Sequence, residues 1–104
     1  GNMKEEIQYE YEEGSRKDHD VTVLTLSTCA FCKRAMDYLN EKDIAYRHVH
    51  LDEIYPPKRR ELKKELQKKF GKVNLFPFTI VDDSTVLKGF KKEEWDTVFE
   101  EEAG

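Results

Sequence analysis

The sequence predicts a single α/β domain in which strands and helices alternate around one pair of cysteines. Three observations carry this reading. The β-branched run Val21-Thr22-Val23-Leu24-Thr25-Leu26 has the composition of a buried strand, and it leads into Cys29-Ala30-Phe31-Cys32 and a helical stretch through Lys42. A second strand and helix follow, Ile44 to Leu51 and then Lys58 to Phe70. The chain then returns in a proline-led hairpin, from Phe76-Pro77 to Leu87, closed by Gly89.

The 104 residues suit one domain. Hydrophobic and charged residues each make up 38%, so a small core must carry a heavily charged surface. The net charge of −4 argues against nucleic acid as a partner, because phosphate binding needs a basic surface. No run approaches the ~20 apolar residues of a membrane span. Gly1 to Asp20 is acidic and polar, unlike a secretory signal. Two cysteines in such a chain suit a reducing cytoplasm, where pairs of this kind are usually catalytic.

Residues 1–19 read as an N-terminal arm, and residues 20–104 as the domain proper. From Lys4 to Glu13 the pattern alternates weakly, with Ile7, Tyr9 and Tyr11 on one side and glutamates on the other. This fits a half-buried edge strand, or equally a disordered acidic arm. Gly14 to Asp20 has no apolar anchor, and His19 reads as a solvated loop residue. Thr28 is placed to cap the first helix. In that helix Phe31, Ala35, Tyr38 and Leu39 follow the three-and-four spacing of a core face. Phe31, between the cysteines, is equally placed to stand exposed beside them. Lys33 and Arg34 add positive potential nearby or are ordinary solvated charges.

In the second strand Val49 and Leu51 are the core candidates, with His48 and His50 on the opposite face. Pro56-Pro57 suits the first turn of a helix. Leu62, Leu66 and Phe70 form its apolar seam, and Gly71 its C-terminal stop. Its other faces are rich in Lys and Arg, which reads as a solvated face or as a docking patch for an acidic protein. A proline does not belong inside a central strand, so Pro77 is expected to begin the third strand through a cis Phe76-Pro77 bond. Asp82-Asp83-Ser84 signals the turn, Thr85-Val86-Leu87 the fourth strand, and Lys91 to Glu102 a last helix burying Trp95, Val98 and Phe99.

The cysteines sit where a strand becomes a helix N-terminus. Unpaired N–H groups and the helix dipole there favour an anion, and a thiolate is one. Two intervening residues let the sulfurs meet across one turn, so a thiolate attacking a disulfide has a resolving partner at hand. Cys29 is read as the attacking thiol and Cys32 as the resolving one. The competing reading is a non-catalytic zinc module built from Cys29, Cys32, His48 and His50.

With the order strand, Cys-x-x-Cys helix, strand, helix, proline-led hairpin, Gly, helix in place, the sequence resembles the glutaredoxins of the thioredoxin-fold superfamily. The likeness covers roughly residues 20 to 100. It rests on Thr28-Cys29-Ala30-Phe31-Cys32-Lys33-Arg34, on Phe76-Pro77 and on the Gly89 turn. It implies a thioredoxin-like four-stranded mixed sheet of order 2-1-3-4 with helices on both faces, and an N-terminal strand could join only at a sheet edge, outside the second strand. It implies a cis Pro77 beside the cysteines, with the Phe76 backbone free to pair with a bound substrate. Phe31, Phe76, Pro77, Gly89 and Phe90 are the substrate-binding residues so implied. The resemblance also brings a third possibility, an iron–sulfur carrier that shares a cluster between two subunits with glutathione.

Several positions depart from the family pattern. Leu26 stands where glutaredoxins commonly carry a Lys, Leu75-Phe76 replaces Thr-Val, and Gly89-Phe90-Lys91 replaces Gly-Gly-Asp. Lys88-Gly89-Phe90-Lys91 is instead similar to the Ser-Gly-Phe-Arg turn of the NrdH redoxins, electron donors to ribonucleotide reductase that are themselves reduced by thioredoxin reductase. The function expected is therefore a cytoplasmic thiol–disulfide oxidoreductase acting on protein disulfides. It is expected to be a monomer with no bound cofactor and no metal, with a flavin- or ferredoxin-linked reductase as electron donor in preference to glutathione as co-substrate.

Overall fold

The computed structural model describes residues 2–100. Five strands form one mixed sheet: β1 (Glu10–Glu12), β2 (Val21–Thr25), β3 (Tyr46–His50), β4 (Phe78–Val81) and β5 (Thr85–Lys88), in the order β1-β3-β2-β4-β5. Only β2 and β3 run parallel; the other pairs are antiparallel. The order β3-β2-β4-β5 is the 2-1-3-4 order expected, and β1 adds the fifth strand outside β3. Helices α1 (Ala30–Glu41) and α3 (Lys92–Phe99) cover one face, and α2 (Pro56–Phe70) the other.

Strand β2 is buried along its whole length, which its near-continuous apolar and β-branched run requires. Val21 and Val23 join Ala35, Tyr38, Leu39, Trp95 and Phe99 on one face. Leu24 joins Leu62, Leu66, Phe78 and Ile80 on the other. Thr22, on the α2 face, accepts from Arg47 Nε at 2.7 Å. Among the described residues, Thr79 Oγ1 in β4 is a buried side-chain atom without a hydrogen-bond partner.

The hairpin between β4 and β5 turns through Asp82 and Asp83, both in the left-handed region at φ 55° and 56°. Short polar side chains tolerate this conformation best. Their carboxylates tie this end of the sheet together. Asp82 accepts from the Asp20 N–H at 2.8 Å and lies 2.6 Å from His19 Nδ1. The Asp20 N–H and then His19 hold its carboxyl below the usual range. His19, whose ring meets Phe99 edge-on, is thus a packed cross-link and not the solvated loop residue expected. Asp83 binds Lys69 at 2.9 Å and Lys4 at 3.3 Å, and Lys69 makes the larger contribution to lowering its carboxyl.

The N-terminal segment follows the edge-strand alternative only in part. Met3–Glu6 is a 3-10 turn, and β1 is three residues long. Ile7 is buried and Tyr9 half-buried, but Tyr11 is 71% exposed, so the three do not share an inward face. The segment is held by the Met3 N–H on Glu65 of α2, by Lys4 on Asp83, and by Arg47, which stacks 4.5 Å from the centre of the Tyr9 ring. After β1 the chain runs against residues 43–45, with Arg16 N–H on Asp43 O at 2.9 Å and Ala45 N–H on Arg16 O at 3.0 Å.

Other boundaries move by a few residues. The first helix begins at Ala30, so Cys29 takes the capping position expected of Thr28. Strand β3 begins at Tyr46, and Leu51 opens a 3-10 turn, although Ile44 and Leu51 are both buried. Helix α3 ends at Phe99, and Glu101 and Glu102 of the expected last helix lie outside the described residues. The Phe76-Pro77 bond is cis, as expected.

A Cβ added at Gly14 would lie 2.6 Å from both Ala45 N and Asp43 O, so only glycine allows this close approach. Gly14→Ala is expected to cost about 1–3 kcal/mol in urea unfolding. It should also make residues 1–18 the first to be cut in limited proteolysis; an unchanged midpoint and cleavage pattern would show that the segment is not held there.

Candidate active site

The cysteines lie at the end of the sheet to which the parallel strands β2 and β3 deliver the chain. Cys29 and Cys32 are joined as a disulfide with their Cα atoms 5.3 Å apart. Cys29 is the N-cap of α1, in extended conformation at φ −150°, and its Sγ accepts from the Cys32 N–H at 3.2 Å. A sulfur thus occupies the position where a Ser or Asp oxygen usually meets the first free amides of a helix. The two thiol positions differ in access. Cys32 is 2% exposed, on the core side of the helix, whereas Cys29 is half-buried.

The loop before Cys29 is pinned by Asp52, which the sequence presents only as part of a connection. Its carboxylate accepts from the Ser27 N–H at 3.0 Å and from the Ser27 hydroxyl. The bond from the Ser27 hydroxyl is the main reason its carboxyl stays below the usual range. The Asp52 carbonyl receives Arg59 Nη1 of α2 at 3.3 Å, so the loop before Cys29 and the first turn of α2 are linked. Behind them the Thr25 hydroxyl donates to Val49 O at 3.1 Å and lies 2.6 Å from His50 Nδ1.

Strand β4 brings Pro77 to the same end, since Phe78 pairs with Leu24 of β2 and with Lys88 of β5. Pro77 is fully buried, and its carbonyl accepts from the Gly89 N–H at 2.8 Å. Gly89 has φ 78°, which favours glycine. Phe76 is half-buried and packs with Leu26 on the α2-face core, while Leu75 and Phe31 are each 54% exposed. The guanidinium of Arg34 sits 5.3 Å from the centre of the Phe31 ring. Phe31 therefore takes the exposed alternative and leaves the core face of α1. The Phe90 ring stacks edge-on to Trp95 at 5.0 Å and to Tyr38 at 5.6 Å, so it closes the aromatic cluster under α3. In that cluster the Tyr38 hydroxyl donates to Asp96 at 2.6 Å; burial and this carboxylate both push the phenol well above its ordinary range.

The zinc grouping weighed from the sequence does not assemble. The cysteines are paired to each other, and His50 is held by Thr25. His48 Nε2 lies 3.1 Å from Glu12 and 3.8 Å from Glu10 of β1. Among the described residues, the cluster of three potential metal ligands is this Glu10, Glu12 and His48 trio at the sheet edge. Its donors are already engaged with one another, as a cross-strand contact between β1 and β3.

A central mixed sheet, a Cys-x-x-Cys pair at the N-terminus of its first long helix and a cis-proline just before β4 define a thioredoxin-fold redox protein. The glutaredoxin family model matches residues 21–86, well over half of the chain, and the chain belongs to the glutaredoxin family. In fold it is similar to a glutaredoxin from Methanosarcina mazei Go1, at 24% identity and a TM-score of 0.77, over 91% of this chain and 90% of that one. It is also similar to a methanoredoxin from Methanosarcina acetivorans, at 23% identity and a TM-score of 0.73, over 85% and 90% of the two chains. A glutaredoxin from Archaeoglobus fulgidus follows, at 19% and 0.68, over 81% and 89%. A comparison with curated proteins finds no match. Family and cysteine pair together make the chain a thiol–disulfide oxidoreductase. No helix among the described residues is long and apolar enough to cross a membrane.

Asp52→Ala should lower the unfolding midpoint at neutral pH. Because the folded-state pKa of Asp52 is depressed, its contribution is complete above the unfolded value of about 4 and is lost as pH falls through the lower folded value. The difference between wild type and variant is therefore expected to close in acid; a gap that persisted at pH 2 would assign the effect to something other than the charged carboxylate.

Proposed function

We propose that the protein reduces disulfides in other proteins through a two-thiol cycle run by Cys29 and Cys32. The observation that carries this reading is their unequal burial: a half-buried cysteine at a helix N-terminus, with a fully buried one a turn behind it. In the reduced protein the Cys29 thiolate attacks one sulfur of the substrate disulfide. A mixed disulfide forms, and the second substrate sulfur leaves as a thiolate and takes up a proton. The Cys32 thiolate then attacks Cys29 Sγ, the first substrate sulfur leaves, and the Cys29–Cys32 disulfide remains. Two electrons pass to the substrate, and a reductant must return them.

The substrate segment is proposed to lie along Phe76-Pro77. Phe76 lies just before the ladder that begins at Phe78, and its backbone is the proposed partner of an added substrate strand. Phe31 and Gly89-Phe90 border this path. A reductase is the favoured electron donor over glutathione. Leu26 offers no cation, and Phe90 occupies the Gly-Gly-Asp position with a ring already committed to Trp95 and Tyr38. The setting proposed is cytoplasmic, with the protein acting as a monomer without a resident cofactor.

Cys29→Ser should reduce the turnover of a protein disulfide such as insulin to background. Cys32→Ser should accumulate a mixed disulfide, seen as added mass on the intact protein. Full turnover by Cys32→Ser would overturn the two-thiol cycle. Reduction of the oxidised protein by a flavin-linked reductase with NADPH, faster than by glutathione, is the expected donor result; persistent glutathione on Cys29 would reverse it.

A further inference from the structure

Helix α2 carries seven Lys and Arg against two Glu, a net of +5 in a chain whose formal net charge is −4. The other 89 residues therefore carry −9. This concentration is not a by-product of helix stabilisation. Helices α1 and α3 place opposite charges four residues apart, Lys33 on Asp37 at 3.3 Å and Lys92 on Asp96 at 3.0 Å. On α2 the same spacing sets like charges in line, Arg60, Lys64 and Lys68, an arrangement that weakens a helix. Of its two carboxylates, Glu65 is taken by the Met3 N–H. Among its cations, Lys69 is bound to Asp83. No carboxylate of the described residues lies within 4.0 Å of Lys58, Arg60, Lys63, Lys64 or Lys68. All five are exposed, and Arg60, Glu61, Lys63, Lys64 and Gln67 line a shallow open groove.

The stripe is connected to the redox site. It starts at the turn where Arg59 holds the Asp52 carbonyl, and Asp52 holds Ser27, two residues before Cys29. Fifteen helical residues extend about 22 Å from there toward the Asp82-Asp83 hairpin at the opposite end of the sheet.

We propose that the outward face of α2 is a docking surface for protein substrates whose disulfide is flanked by an acidic surface. The proposal rests on the disulfide-reductase reading and names its substrate class. The acidic remainder of the chain repels such a partner while α2 attracts it, so encounters are biased toward the face that leads to Cys29. A field of this kind raises association rate and selects partners more than it adds affinity, and salt screens it.

The test uses two synthetic peptides with the same disulfide loop, one carrying a flanking run of eight Asp and Glu, the other eight Lys. At 20 mM salt the wild type is expected to reduce the acidic peptide with a kcat/KM at least tenfold above the basic one, with the ratio falling toward one by 500 mM. The triple variant Arg60→Gln, Lys64→Gln, Lys68→Gln should lose most of the preference, and the Glu triple should invert it. Both should keep wild-type rates on hydroxyethyl disulfide, which has no charge to steer. Equal rates on the two peptides, or a preference untouched by the substitutions, would overturn the proposal. Fluorescence anisotropy of the labelled acidic peptide gives a readout independent of turnover. Should wild type fail on hydroxyethyl disulfide, the reductase reading falls, and α2-dependent anisotropy still decides docking. Tighter binding of a 20-nucleotide single-stranded DNA than of the acidic peptide, or a dimer dissolved by the Gln triple, would also overturn the proposal, assigning the face to nucleic acid or to a second copy.

Discussion

Strand β2 has no solvent face, and the architecture follows from covering it. Val21 and Val23 need α1 and α3 on one side, and Leu24 needs α2 on the other. Its two edges are taken by β3 and β4. A strand buried on both faces and both edges cannot shift in register without exposing apolar surface or orphaning backbone groups. Four residues past Thr25, beyond the fully buried strand, the chain reaches Cys29 at the first free amides of α1.

The same anchoring gives the two cysteines different surroundings. Helix α1 buries Cys32, Ala35, Tyr38 and Leu39 on one stripe, so the second cysteine belongs to the core face while the cap cysteine stands outside it. In the proposed two-thiol cycle the buried thiol does not meet the protein disulfide first. It can reach only a sulfur already bound at Cys29, and the short Cα separation makes that step intramolecular. In the proposed cycle the order of events follows helix periodicity, which puts the residue three after the cap on the inward face.

Much of this was legible from residue pattern. The period of β2, the seam Leu62–Leu66–Phe70, the stop at Gly71 and the conflict between Pro77 and a central strand each have one physical solution, and the structure adopts it. The N-terminal segment was legible only as a choice. Its contacts are made by charged residues that no periodic pattern singles out: Lys4 on Asp83, Arg47 on Tyr9, Arg16 against residues 43–45. Long-range polar pairs leave no periodic signature. For the same reason His19 looked like a loop residue and Asp52 like a connector, although each is defined by a partner from a distant part of the chain. The histidine pair showed the reverse error. His48 and His50 share a face, as alternation requires, but a shared face does not bring two side chains to one point once each has a nearer neighbour.

The polar cross-links also divide by position along the sheet. At the hairpin end, Asp82 and Asp83 gather His19, the Asp20 N–H, Lys4 and Lys69 into ion pairs and charged hydrogen bonds. At the cysteine end, the ties are the Gly89 N–H on Pro77, the Trp95 indole on the Gly89 carbonyl, and Ser27 on Asp52. A carboxylate beside a thiolate would oppose its formation, whereas backbone amides and a helix N-terminus favour it. Asp52 meets this constraint by spending its oxygens on the Ser27 N–H and hydroxyl, which leaves the amides at the start of α1 to Cys29. Fastening the charged turn at one end, and spending the Asp52 carboxylate on Ser27 at the other, lets one small sheet be tightly closed while the amides at the start of α1 stay with Cys29.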